Sequence, residues 1–334
     1  MMAATAAASN WLNWRFLLCV VWVLVSMNIA VLLIWRRKKK NGDEQPADHD
    51  GKIGGEEEIS RNQAWKPCLK WVHPAWLLAF RLCAFSVLLL LLVAIVLVDG
   101  AVMFYYYTQW TLTLVTLYFA MGSLISIRGC YEYSQMGSMD VVGNTAAELD
   151  DAEHGHGGGQ SSMKGSSSAD QAAEEVDDDQ REPAGGWGCA LFQIIFQISG
   201  GAVMLTDIVF WFVIFPFLAI KDKRLNLLIV SMHSMNAIFL LGDTAMNCLP
   251  FPFFRIGYFI MWTILYVLFQ WILHASVKIW WPYPFLDISS PSVPLWYLAV
   301  AAIHVPCYGM FACIVKLKNT LFVKWFRDSY RGFN

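Results

Sequence analysis

Four threonines, Thr108, Thr111, Thr113 and Thr116, follow a run of three tyrosines in the apolar stretch 104–127. A threonine hydroxyl is too weakly acidic to attack a carbonyl unaided, so it needs a base within hydrogen-bond reach. Neutral imidazole suits that role near neutral pH. A hydroxyl in an apolar helix can instead hydrogen-bond its own backbone and serve helix packing. The stretch is therefore either a packing helix or the carrier of a nucleophile.

Ionisable side chains inside apolar stretches are the candidates for a partner, because a charge in hydrocarbon is costly and is retained mainly for function. They are Arg81, Asp207, His233, Asp243 and His304, with Asp99 and His274 at predicted helix ends. A helix rises ~1.5 Å per residue, which places Thr108 about 6 Å and His233 about 9–10 Å from the same membrane boundary. The two are level if their helices are neighbours, and a Thr–His pair there suits cleavage of a membrane-dissolved acyl ester. By spacing alone it is one pair among several.

Three further polar side chains of the apolar stretches have predicted positions. Asn236 lies one helical turn from His233 on the same face, so it can orient the imidazole ring or line the same cavity. Asp243 lies about 15 Å deeper and is a poor partner for that histidine. Arg81 is close to the predicted cytoplasmic end of its span, where its side chain can extend to the headgroups.

Composition predicts the elements that must position these residues. The chain has 334 residues, of which 57% are hydrophobic and only 15% charged, whereas soluble domains carry about 25% charged residues. Its apolar runs have about the 20 residues that a helix needs to cross the bilayer. We predict an all-α fold, a polytopic transmembrane helical bundle of about seven spans, with one N-terminal span and a six-span core. The net charge of −2 indicates no nucleic acid partner.

The runs and the polar segments between them predict six regions. An N-terminal signal-anchor span ends in the basic cluster at 36–40, and two polar segments rich in acids and glycine are predicted to be disordered. Asp99 and Gly100 predict a tight turn between antiparallel spans two and three. The regions are 1–40 (span one), 41–74 (disordered linker), 75–128 (spans two and three), 129–186 (disordered acidic loop), 187–315 (spans four to seven) and 316–334 (basic tail).

The distribution of basic residues predicts the orientation. The cluster after span one should stay in the cytoplasm, which leaves the N-terminus outside or lumenal and the C-terminus cytoplasmic. Most of the 24 Lys and Arg residues then face the cytoplasm, with Lys221, Lys223 and Arg224 as the main exceptions. The endoplasmic reticulum and the plasma membrane are both compatible with this prediction.

The cysteines and the histidine pair of the acidic loop predict no metal site and no cofactor. The eight cysteines show no CxxC or CxxH spacing and most lie in apolar runs, which indicates buried small hydrophobes and neither a disulfide framework nor a zinc site. His154 and His156 belong to a short HGH sequence in a glycine-rich loop, which is typical of solvated residues.

Three sequence elements resemble those of the androgen-induced/rolling-stone family of multi-span membrane proteins. They are FYYYTQWTLTLVTLYF, HSMNAIFLLGDTAMN and the loop WWPYPFLD, and the resemblance covers about residues 75–330. The resemblance implies threonine hydrolases that cleave fatty acid esters of hydroxy fatty acids. It places the nucleophile on Thr108, with Thr111 as the second choice, and the histidine on His233.

The chain departs from the family pattern in its additional N-terminal span, its acidic loop and the Gln109–Trp110 pair after the threonine. The hypothesis is that Thr108 attacks a lipid-ester carbonyl, His233 accepts its proton and water releases the acyl group. Trp110, Asn236, Asp207 and His274 are the predicted substrate-binding residues, and membrane lipids are the predicted partners.

Two non-catalytic functions remain open at this point. In one, His233, His274, His304 and Asp207 line the polar cavity of a lipid-binding or transport protein. In the other, the acidic segments recruit partners to a membrane scaffold. The sequence does not predict an oligomeric state.

Overall fold

Seven long helices form the protein in a computed structural model that describes residue 11 and residues 13–43, 63–153, 186–216 and 227–331. Each contains a stretch long and apolar enough to cross a membrane, and the described residues include no strand. The predicted all-α, multi-pass membrane fold is therefore confirmed. The helices are α1 (Trp14–Asp43), α2 (Pro74–Asp99), α3 (Tyr107–Glu153), α4 (Gly186–Ile208), α5 (Leu227–Met246), α6 (Ile256–Ser276) and α7 (Val293–Trp325).

Contacts between helix ends show that successive helices run up and down. The Cys68 amide, just before α2, donates to the carbonyl of Met246 at the end of α5. The carbonyl of Tyr105, just before α3, accepts hydrogen bonds from Tyr266 and Gln270 near the end of α6. We call these two ends of the bundle the Cys68 end and the Thr108 end.

Helices α2 and α3 pack side by side, as predicted for antiparallel neighbours. Their connection is longer than the tight turn that was expected. Gly100 adopts φ 76°, which favours glycine, and its amide caps α2 at the Val96 carbonyl. A 3-10 helix, Ala101–Tyr105, then leads to α3.

Gly200 and Gly201 bring α4 close to two aromatic layers. A Cβ atom on Gly200 would lie 2.8 Å from both Phe251 and Phe311, and one on Gly201 would lie 2.6 Å from Phe259. The small-residue pair therefore permits close packing of α4 against its neighbours. Beyond Ile208, the chain widens into a π-helix, Val209–Ile214.

The two segments predicted to be disordered differ in part from that prediction. Helix α3 continues to Glu153, where the prediction began a loop at 129, and Arg128 pairs with Glu132 one turn later. Residues 63–73 are held at the Cys68 end by isolated antiparallel bridges between Pro67 and Asn247 and between Leu69 and Tyr330. Residues 44–62 and 154–185, including His154 and His156, lie outside the described residues.

The prediction that Arg81 extends to the headgroups is wrong. Its side chain is 0% exposed, and its Nε donates to Asp243 at 2.8 Å. Tyr118 and Asn247 also donate to the Asp243 carboxylate, and Ser126 accepts a second guanidinium hydrogen bond. A buried charge requires such a partner in an apolar interior, and the partner lies on a different span.

The prediction that no cysteine forms a disulfide is also wrong. Cys68 and Cys248 are bonded across 180 residues at the Cys68 end, a pairing for which the sequence carries no spacing signal. Cys19, Cys189 and Cys307 are buried, as predicted, whereas Cys83 and Cys313 are exposed on the helix surface.

Candidate functional site

A cavity of about 170 Å³ lies among α3, α4, α5, α6 and α7. Its wall is mainly apolar, but it includes several hydroxyls and one imidazole. Trp296, which also lines it, is 45% exposed, so one side of the wall reaches the surface of the bundle. The polar lining residues are Tyr107, Thr108, Thr206, His233, Thr263, Tyr266 and Tyr283.

Thr108 and His233, the predicted nucleophile and base, both line this cavity. Thr108 is in the first turn of α3 and His233 is in the second turn of α5, and each side chain is 7% exposed. The helices bring together two residues that the sequence separates by more than a hundred positions. Among the hydrogen bonds of the described residues, none joins these two side chains.

The His233 ring is held by stacking instead of hydrogen bonding. It lies flat against Phe210, with a centroid separation of 3.6 Å and an interplanar angle of 5°. Phe210 belongs to the π-helix, and π-helical turns often occur at functional sites because they shift side chains out of the regular α-helical pattern. His233 Nδ1 is buried and has no hydrogen-bond partner in the described part of the chain. The ring therefore offers a nitrogen that the fold does not use.

The loop between α6 and α7 covers the cavity at the Thr108 end. Tyr283 and the 3-10 helix Pro284–Leu286 belong to the YPFL element, and Tyr283, Phe285 and Leu286 line the cavity. Burial raises the pKa of Tyr283 to about 12, and its hydrogen bond with the side chain of Thr108 works in the opposite direction. The neutral phenol therefore lies beside the Thr108 hydroxyl at physiological pH.

Trp110 and Asn236 were predicted to bind substrate, but they are not among the lining residues. The Trp110 indole donates to the carbonyl of Phe104 at 3.0 Å, and the Asn236 amide donates to the carbonyl of Met232 at 3.1 Å. Both donors are therefore occupied by backbone carbonyls near them in the chain.

Asp207 and His274 also lie outside the lining set. Asp207 is adjacent to the lining residue Thr206, and its Oδ1 is buried without a partner in the described residues. The His274 ring stacks on Trp281 at 3.6 Å, and its two nitrogens face the carbonyls of Gln270 and Trp280. His274 thus anchors the covering loop to the end of α6.

A second Thr–His pair, which the sequence reasoning did not identify, lies at the cavity wall: Thr263 lines the cavity, and His304 contacts Thr263 without lining the cavity itself. His304 Nε2 lies 2.8 Å from Thr263 Oγ1, and the Tyr107 hydroxyl lies 2.9 Å from the same oxygen. Depth matching would have shown only that the two residues can lie at a similar level. Thr263 is about 20 Å from the end of α6 and His304 about 16 Å from the start of α7, measured from the same side at ~1.5 Å per residue.

The described residues contain no cluster of three or more His, Cys, Asp or Glu side chains able to hold a metal ion. Comparison with known proteins gave no match to any family model, curated protein or solved structure. The seven apolar helices thus define a multi-pass membrane protein.

Proposed function

We propose that this protein is an intramembrane hydrolase of lipid esters, with Thr108 as nucleophile and His233 as base. The observation that carries the proposal is that the two side chains, from different helices, line one mainly apolar cavity. A cavity of about 150 Å³ holds one benzene molecule. The present cavity, at about 170 Å³, therefore accommodates the ester group and a few methylenes, while the rest of the acyl chain extends toward the lipid.

The family resemblance supports the same site. Each of the three elements that carry it contributes to the cavity wall: the first provides Thr108, the second His233, and the third Tyr283 and Phe285. These elements are far apart in the sequence. Their meeting at one cavity is what an ester hydrolase of that family would require.

The proposed reaction uses these side chains in sequence. His233 accepts the hydroxyl proton as Thr108 Oγ1 attacks the carbonyl carbon, and it returns that proton to the leaving alcohol. Water then attacks the acyl-threonine and releases the fatty acid. Tyr283 is suited to donate to the oxyanion, because its phenol is neutral and lies beside the attacking oxygen.

The test is hydrolysis of a fatty acid ester of a hydroxy fatty acid by the purified full-length protein in nanodiscs. Thr108→Val and His233→Gln should each lower the rate by at least about ten-fold, since a positioned base contributes ~10²–10⁴-fold. An alkyl fluorophosphonate should form an adduct on Thr108, located by peptide mass spectrometry. Thr111→Val is the matched control, because Thr111 donates to the carbonyl of Tyr107 and does not line the cavity. Full hydrolysis by Thr108→Val would refute the assignment.

A non-catalytic lipid-binding function is the second candidate. It is favoured by the apolar wall and by the missing hydrogen bond between Thr108 and His233 among the described residues. It predicts that a lipid binds in the cavity and that the fluorophosphonate leaves every threonine unmodified.

A further inference from the structure

The α6 part of the cavity wall holds a hydroxyl that is already hydrogen-bonded to an imidazole. We propose that Thr263, with His304 as its base, is a second nucleophile of this cavity and attacks carboxylic esters of the same class. This inference rests on the proposed hydrolase function and adds a second covalent site to it. Thr263 lines the cavity, and both side chains are buried.

The direction of the hydrogen bonds follows from the groups involved. His304 Nδ1 lies 2.6 Å from the carbonyl oxygen of Val300, and a carbonyl can only accept, so Nδ1 carries the proton of the neutral ring. Nε2 is then an acceptor, and the Thr263 hydroxyl donates to it at 2.8 Å. The Tyr107 hydroxyl in turn donates to Thr263 Oγ1. The threonine proton therefore points toward a base whose tautomer and orientation are held by the backbone.

Threonines in spanning helices commonly donate to their own helix, and Thr263 has that option too. The carbonyl of Phe259 is 3.4 Å from its Oγ1, a poorer distance than the 2.8 Å to His304. A second cavity threonine, Thr206, takes the backbone option, since its hydroxyl donates to the carbonyls of Ala202 and Val203. Thr206 and Thr263 thus line the same cavity, but the Thr206 hydroxyl donates to backbone carbonyls and the Thr263 hydroxyl donates to an imidazole.

The other cavity hydroxyl on α6 has a different role. The Tyr266 hydroxyl donates to the carbonyl of Tyr105 at 2.7 Å, so its proton is committed to a backbone acceptor. Among the described cavity residues, Thr263 is the hydroxyl whose hydrogen bond leads to an imidazole. That arrangement of nucleophile, base and group that orients the base is the one used in hydroxyl-based acyl transfer.

The covalent step balances with the ester and water alone. Thr263 Oγ1 forms a bond to the carbonyl carbon while its proton passes to His304 Nε2. The bond from that carbon to the alkoxy oxygen breaks, and the leaving oxygen takes the proton from His304. A water molecule then attacks the acyl-threonine, giving its proton through His304 to Thr263 and releasing the carboxylic acid.

The experiment maps alkyl fluorophosphonate adducts on the full-length protein in nanodiscs, by peptide mass spectrometry, at residues 108, 206 and 263. We expect an adduct on Thr263 that His304→Gln lowers at least about ten-fold, in keeping with the loss of a general base. Thr263→Ser should retain the adduct and Thr263→Val should lack it. Thr206, the matched control in the same cavity, should remain unmodified.

The adduct on Thr108 reports whether each variant is folded, because it requires the same cavity. In the Thr108→Val background, Thr263→Val should remove the hydrolysis that remains. An adduct on Thr108 with none on Thr263 overturns this inference and leaves the proposed function standing. No adduct at either residue overturns both. Equal labelling of Thr206 and Thr263 would also overturn the inference, because the hydrogen bond to His304 would then not increase the reactivity of the threonine hydroxyl.

Discussion

At the scale of single residues, the most demanding feature is the buried ion pair of Arg81 and Asp243. Both side chains are 0% exposed, and the carboxylate also accepts hydrogen bonds from Tyr118 and Asn247. Breaking a buried pair by removing one partner is costly, because the remaining charge is left uncompensated in an apolar interior. The network joins α2, α3 and α5 at the Cys68 end, away from the cavity.

The ion pair leads to a prediction for stability. Asp243→Leu should lower the free energy of unfolding by about 3–5 kcal/mol, because Arg81 keeps its charge without a carboxylate. The double variant Arg81→Met/Asp243→Leu should recover part of that loss, since no unpaired charge remains. Thermal unfolding in detergent micelles measures both changes. A double variant less stable than Asp243→Leu would contradict this explanation.

At the scale of elements, the position of α4 depends on its close approach to α6. Gly201 lies where a Cβ would meet the ring of Phe259, which belongs to α6. The π-helix that follows α4 then places Phe210 flat against His233. The helix that packs closely on α6 at Gly201 thus continues into the turn that carries the stacking partner of His233.

Gly201→Ala should destabilise the protein by about 1–3 kcal/mol, the usual cost of overpacking a core. Gly188 provides the control on the same helix, because nothing lies within 4 Å of its Cβ position. Gly188→Ala should be neutral or slightly stabilising, since alanine is the better helix former. The readout is the shift in unfolding midpoint of the two variants. Equal losses of stability would show that the contact with Phe259 is not the cause.

At the scale of the whole molecule, an up-and-down bundle can lie in the membrane in either of two orientations. The basic cluster after span one and the basic tail lie at the same end of an up-and-down bundle. Basic segments are retained on the cytoplasmic side. On this basis we propose that the Cys68 end faces the cytoplasm and that the cavity opens near the opposite leaflet, although the Cys68–Cys248 disulfide at the Cys68 end is a bond more typical of oxidising compartments.

The orientation predicts which segments enter the secretory lumen. A glycosylation acceptor introduced at residues 2–8 should be modified in cells, and one introduced at residues 160–170 should not. Glycosidase-sensitive shifts on a gel report the modification. Modification of only the acceptor at 160–170 would reverse the proposed orientation.

Several features of this protein follow from its sequence alone. The lengths of the apolar runs predict seven helical spans, because any segment of that length and composition must satisfy its own backbone in hydrocarbon. The rise per residue places Thr108 and His233 at similar depths. Residues of both elements do line one cavity, although their roles as nucleophile and base remain a prediction.

Apart from α2 and α3, which their short connection predicts to be neighbours, only the tertiary structure decided which helices pack together. Hydropathy and depth are measured along the membrane normal and carry no information about lateral order. The sequence therefore predicts the depth of Arg81 but not its partner, because the pairing with Asp243 depends on the packing of α2 beside α5. Thr263 and His304 likewise meet through the packing of α6 against α7. Lateral order arises from the mutual fit of side chains, such as Gly201 against Phe259, and such fit exists only between assembled helices.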